Sequence, residues 1–200
     1  MRRRSPGIDR QTVLPALLVL ALAVMMSIVL PSIDRETPYR NSLHTGDTAE
    51  LADKITLAPI AGWDLAAGAL VGHVRSAVGS TATTELVHGS VNFDVHAAPF
   101  AGTPLALLGR VNKIRADLRH ARGSGAATRH YPVTTRQGAV GVGEDFVGVA
   151  RQGSVVAFVF GSPGQSTREG LEIVVSGPKG PISRRRGDIV AMIRSIRTGP

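Results

Sequence analysis

Val155-Val156-Ala157-Phe158-Val159-Phe160 places six apolar residues in a row, with nothing polar at either alternate position. A strand points successive side chains to opposite faces, so this run belongs inside a sheet that is covered on both sides. Gln152-Gly153 precedes it, and Gly161-Ser162-Pro163-Gly164 turns it. Downstream, Leu171-Glu172-Ile173-Val174-Val175 predicts the last strand, closed by the turn-forming Gly177-Pro178-Lys179-Gly180-Pro181. Upstream, Tyr131 to Thr135 and Val140 to Ala150 predict two more strands, with Gln137-Gly138 between them. Connections this short join antiparallel neighbours.

Farther out, two helices are expected. Thr103-Pro104 opens the first, with Thr103 as N-cap and Pro104 at the first helical position. Its apolar stripe runs through Leu107 or Leu108, Val111, Ile114 and Leu118, with Arg110, Lys113, Asp117 and Arg119 opposite. Gly123-Ser124-Gly125 stops it. The second follows Gly187-Asp188 and carries Ile189, Val190, Met192, Ile193 and Ile196 on one side. Lys54 to Ile60 predicts a first strand, residues 67–83 read as strand or loop, and Glu85 to His96 reads as one long strand. The expected class is α+β: an N-terminal transmembrane helix, then an antiparallel β-sheet packed by two helices on one side. The chain shows no internal repeat.

Val13 to Leu30 reads VLPALLVLALAVMMSIVL, without a charge and with a single Ser. At 1.5 Å per residue it reaches about 27 Å, close to the hydrocarbon thickness of a bilayer. Arg2, Arg3, Arg4 and Arg10 favour a cytoplasmic N-terminus, which leaves the rest of the chain outside the plasma membrane. The alternative is a cleaved signal peptide. Its small-x-small exit, Ala21-Leu22-Ala23, falls inside the apolar run, and Ser27 and Pro31 match such an exit poorly. The expected organisation is a cytoplasmic end at 1–12, a membrane helix at 13–33, a linker at 34–50 and one extracytoplasmic domain at 51–200.

Net charge is +8, and Arg far outnumbers Lys, which occurs only at Lys54, Lys113 and Lys179. Outside the cell, nucleic acid is not an expected partner. The membrane itself, envelope proteins, and anionic lipid or wall polymer are the expected neighbours. With no Cys, thiol catalysis, Cys-ligated zinc or iron–sulfur sites and a lipidated cysteine are all excluded. No cofactor is expected.

Candidate sites are few. The six His residues form neither HxH nor HExxH. If 85–96 is one strand, His88, Ser90, Asn92, Asp94 and His96 share a polar face. Such a face would suit a metal, a sugar or a hydrolase centre; the plainer reading is the wet side of a sheet. Glu144 and Asp145 are adjacent and must point apart. The lone Trp63 reads as core, and Gly138, Gly141 and Gly143 read as strand-edge and turn glycines. Gly161-Ser162-Pro163-Gly164 fails the nucleophile-elbow pattern. Two basic clusters remain: Arg110, Lys113, Arg115 and Arg119 on the first helix, and Arg184, Arg185 and Arg186 before the second. Helices lying side by side would join them into one interaction surface.

The order of strand, Gly62-Trp63, strand, helix opened by Thr103-Pro104, four strands and closing helix resembles the PsbP/Mog1-like domains of actinobacterial envelope proteins. The tail from Asp188 to Arg197 is similar to their closing helix, and the whole chain resembles single-pass membrane proteins of mycobacteria and relatives. The resemblance covers roughly 52–197 and rests on apolar patterns and turns. It implies an extracytoplasmic binding or accessory module and transfers no catalytic residue. The expected function is therefore a membrane-anchored, non-enzymatic module of the cell envelope. Alternatives are a small-ligand or lipid carrier with a pocket between sheet and helices, or an envelope hydrolase using His88, Asp94 and His96.

Overall fold

The apolar run lies in β9 (Gln152–Phe160), where Val155, Val156, Ala157 and Phe158 are each at most 1% exposed. Both faces of this strand are thus covered, as its composition requires. The computed structural model describes residues 42–72, 82–120, 129–148, 151–162 and 168–199, with backbone alone at 82 and 115–120. The expected anchor, Val13–Leu30, lies outside the described residues. Among these, no helix is long and apolar enough to cross a membrane.

β9 pairs on one side with β10 (Glu169–Gly177) and on the other with β8 (Val140–Val147). Beyond β8 lies β7 (Tyr131–Thr134). Beyond β10 lie β6 (Val91–Pro99), β5 (Ala82–His88) and β3 (Asp64–Ala67). The order of this antiparallel sheet is β3-β5-β6-β10-β9-β8-β7. A second small sheet, ordered β11-β2-β1-β4, joins β1 (Ala49–Ala52), β2 (Ile55–Leu57), β4 (Ala69–Leu70) and the closing β11 (Arg197–Thr198).

The expected single strand over 85–96 is a hairpin. Gly89, at φ +58°, and Ser90 form a two-residue loop between His88 and Val91. A glycine at the first central position suits the mirror-type turns that match strand twist. The turn restarts the alternation. Leu86 lies opposite Phe93 on the inner face, and Glu85 lies opposite Asp94 on the outer one.

α1 (Pro104–His120) starts as its sequence demands: the Ala106 amide donates to Thr103 Oγ1 at 3.2 Å, and the Leu107 amide donates to the Thr103 carbonyl. Leu107, Leu108 and Val111 bury against Val155 and Ala157. Ile114, expected in that stripe, is 53% exposed. The inward line passes through Asn112 instead, which reaches a carboxylate on β8. The other alternate residues of β9, Val156 and Phe158, enter a larger core with Phe93, Ile173, Met192 and Ile193. Met192 and Ile193 belong to α3 (Arg186–Ser195). The expected side-by-side packing of the helices is therefore corrected: α1 and α3 cover opposite faces of the large sheet.

Two further boundaries shift. The predicted turn after Gly177 is a short helix, α2 (Lys179–Arg184). Pro181 is tolerated there because the first helical turn needs no internal N–H donors. Residues 42–50, expected as linker, belong to the folded unit. Leu43 is buried and its amide donates to the Trp63 carbonyl at 2.8 Å. An apolar side chain in that position gains more from the core than a linker would retain.

Candidate functional site

On the α3 face, the C-terminal end of α3 meets the β7–β8 turn, where the Arg136 amide donates to the Arg194 carbonyl at 2.8 Å, and a strip of sheet beside it stays uncovered. The uncovered strip forms a cleft of about 530 Å³, within the range of small-molecule sites. Its floor includes Ser154 and Val156 of β9 and Asp145 of β8. One wall is Tyr131 and Val133 of β7; the other is Ile182 of α2 with Ile189 and Ile193 of α3. Val190, 43% exposed, and Val147, 61% exposed, stand at its rim.

Glycine makes room for the first wall. Gly143 sits opposite Tyr131 in the strand register, and a Cβ there would lie 2.6 Å from the tyrosine ring. The ring therefore lies across the glycine, and its hydroxyl donates to Asp145 Oδ1 at 2.9 Å. Burial, and then the bond to Asp145, push the Tyr131 pKa far above its ordinary 10.0, while a bond with Ser154 and the charge of Arg186 pull it back only in part. The hydroxyl thus stays protonated at any physiological pH. Arg186 and Arg194 border the cleft at the two ends of α3 and are both exposed. Among the described residues neither guanidinium joins a carboxylate in an ion pair.

The neighbouring carboxylate, Glu144, points to the α1 face as alternation requires. Its side chain is 2% exposed; Asn112 Nδ2 donates to its Oε2 at 2.9 Å, and His130 Nε2 lies 3.2 Å from the same oxygen. These contacts tie α1 and the approach to β7 to the sheet.

The residues singled out in the sequence are not brought together. His88 lies on the inner face, its ring 5.6 Å from that of fully buried Trp63 in an edge-on contact. Asp94 and His96 lie on the outer face. Burial and then Glu85 across the strand pair raise the Asp94 pKa, and His96 Nδ1 is 3.2 Å from Thr83 Oγ1. The expected polar row of His88, Ser90, Asn92, Asp94 and His96 is split by the Gly89-Ser90 turn. Among the described residues no three His, Asp or Glu are arranged to hold a metal ion. The expected continuous basic surface also divides. Arg110 and Lys113 are exposed on α1; Arg115 and Arg119 lie on the same helix, with side chains outside the described residues. Arg184, Arg185 and Arg186 stand across the sheet, where Arg185 pairs with Asp188 at 3.1 Å. Of the seven, Arg186 alone borders the cleft. The sequence offers a pocket between sheet and helices only as an alternative and names none of its lining residues. The only local signal of the cleft is the period-two set Gly141, Gly143, Asp145 on β8, small beside a tyrosine strand.

No protein-family model matches the chain, nor does any curated protein. Among solved structures, the solution structure of cyanobacterial PsbP (CyanoP) from Synechocystis sp. PCC 6803 is similar, at 11% sequence identity and a TM-score of 0.50. The match covers 82% of this chain and 99% of that one. The domain therefore has a PsbP-like fold, as the order of its elements implies.

Proposed function

We propose that this domain is a binding module that holds a small ligand in the cleft between β7–β9 and the α2–α3 pair. The carrying observation is the cleft: about 530 Å³, walled by Val133, Ile182, Ile189 and Ile193, with a few polar groups at one end. Apolar walls with a small polar set are the usual make-up of ligand sites. The separation of His88 from Asp94 and His96 argues against a hydrolase centre built from these three residues. The apolar run Val13–Leu30 behind four Arg supports a tether in the plasma membrane, with the domain on the outer side, in the envelope setting of actinobacterial proteins of this type.

Val190→Trp tests the cleft, because an exposed rim residue can be enlarged without touching the core. The full-length protein should bind an apolar fluorescent probe saturably, and Val190→Trp should weaken that binding at least about tenfold. Equal binding by the two proteins excludes the cleft as the site. For the tether, the protein should resist extraction from membranes by carbonate, and a reporter enzyme fused after Pro200 should be active only outside the cytosol. Activity confined to the cytosol removes the envelope role.

A further inference from the structure

Within the ligand-binding reading above, we infer that the cleft selects an amphiphile with one acid group, and that Arg186 recognises the acid. The argument begins with the order of side chains along α3. Arg186, Ile189, Val190, Ile193 and Arg194 all line the cleft. Their spacings of three and four residues place them on one side of the helix. The stripe is thus charged at each end and apolar between, and the backbone positions of its two Arg residues are about 12 Å apart along the helix axis.

The two ends differ. At the Arg186 end lie Tyr131, Asp145 and Ser154, joined by hydrogen bonds through the tyrosine hydroxyl. The Tyr131 hydroxyl donates a hydrogen bond to Asp145 Oδ1, so that carboxylate oxygen is already occupied. Arg186 is close enough to act on the Tyr131 hydroxyl by its charge, yet it makes no ion pair among the described residues. A guanidinium offers several N–H donors in a plane that matches a carboxylate or a phosphate monoester. Along the whole cleft, Arg186 and Arg194 outnumber the single carboxylate of Asp145, so the cleft favours an anion. Beyond the Arg186 end, Val133, Ile182 and Val190 stand partly exposed over the buried Val156, Ile189 and Ile193 and provide surface for an apolar tail. The tether supplies a source for such a molecule.

The test uses the full-length chain in neutral phosphatidylcholine nanodiscs. Three photoreactive probes share one alkyl tail: the carboxylic acid, its methyl ester and the alkyl phosphate monoester. Crosslinked peptides are mapped and counted. The acid and the phosphate should label peptides containing Tyr131–Thr134 and Ile182–Arg194, with the ester at least about tenfold weaker. Stronger labelling by the acid points to a fatty-acid source, and stronger labelling by the phosphate points to a phospholipid fragment. Arg186→Gln should lower acid labelling about tenfold and leave the ester unchanged, and Arg186→Lys, which keeps the charge but not the planar donors, should recover only part of it. Arg186 is exposed, and unchanged thermal unfolding of each variant checks that it folds. Ester labelling of the cleft as strong as that of the acid overturns the inference while leaving the cleft as a binding site. Labelling absent from the cleft with all three probes overturns both.

Discussion

Glu144 and Asp145 are consecutive residues of β8, yet their surroundings are opposite. Glu144 faces α1, excluded from water, and is held by Asn112 and His130. Asp145 faces the other way, exposed at the floor of a cleft, and holds Tyr131. Alternation explains why they part, but it assigns neither role. The helix that happens to cover each face does so. α1 closes over Glu144 and turns it into an internal tie, whereas α2 and α3 leave Asp145 exposed on the floor of the cleft. A buried carboxylate keeps its place through its partners, whereas an exposed one can also meet a ligand.

The largest effect should come from loosening the α1 side. Leu108 is fully buried in the small cluster that seats this helix, and Leu108→Ala should cost about 2–5 kcal/mol, measured by thermal unfolding in circular dichroism. A loss near zero would mean that α1 does not close that face, and the contrast with the cleft would collapse. Next comes the tie itself. Glu144→Ala strands the Asn112 amide, whose Oδ1 is already buried without a partner among the described residues, and should cost about 1–3 kcal/mol. Asp145→Asn, by contrast, should shift stability by less than about 0.5 kcal/mol. Equal losses at the two positions would refute the assignment of one to structure and the other to a site.

A smaller effect of opposite sign sharpens the picture on the uncovered part of the α1 face. Asp94 lies opposite Glu85, and its pKa is raised by burial and by that neighbour, with His96 and Arg151 acting against the rise. The folded state then holds the proton more tightly than the unfolded chain. Stability is lost as pH climbs from about 3.8 through the raised value. Asp94→Asn should therefore raise the melting temperature at pH 7 by about 1–3 °C, since facing like charges cost only tenths of a kcal/mol. The gain should vanish below pH 4. A variant less stable than the parent at pH 7 would show that Asp94 makes a favourable contact there.

Much of this was present in the residue order. The unbroken apolar run of Val155 to Phe160 required cover on two faces, Thr103-Pro104 marked a helix start that the Thr103 hydroxyl does cap, and the adjacency of Glu144 and Asp145 sent them apart. Local rules suffice for such features because each depends on a few neighbouring residues. Gly89-Ser90 was misread for the same reason: the alternation on either side of it is equally consistent with one strand or two, and only pairing of Leu86 with Phe93 decides. Which face each helix covers, where α3 meets the sheet edge, and the meeting of Tyr131, Asp145 and Arg186 from three separate segments were settled by tertiary packing alone. Such contacts join residues distant in the chain, and their energy depends on the shape and volume left between elements, which no local pattern of residues encodes.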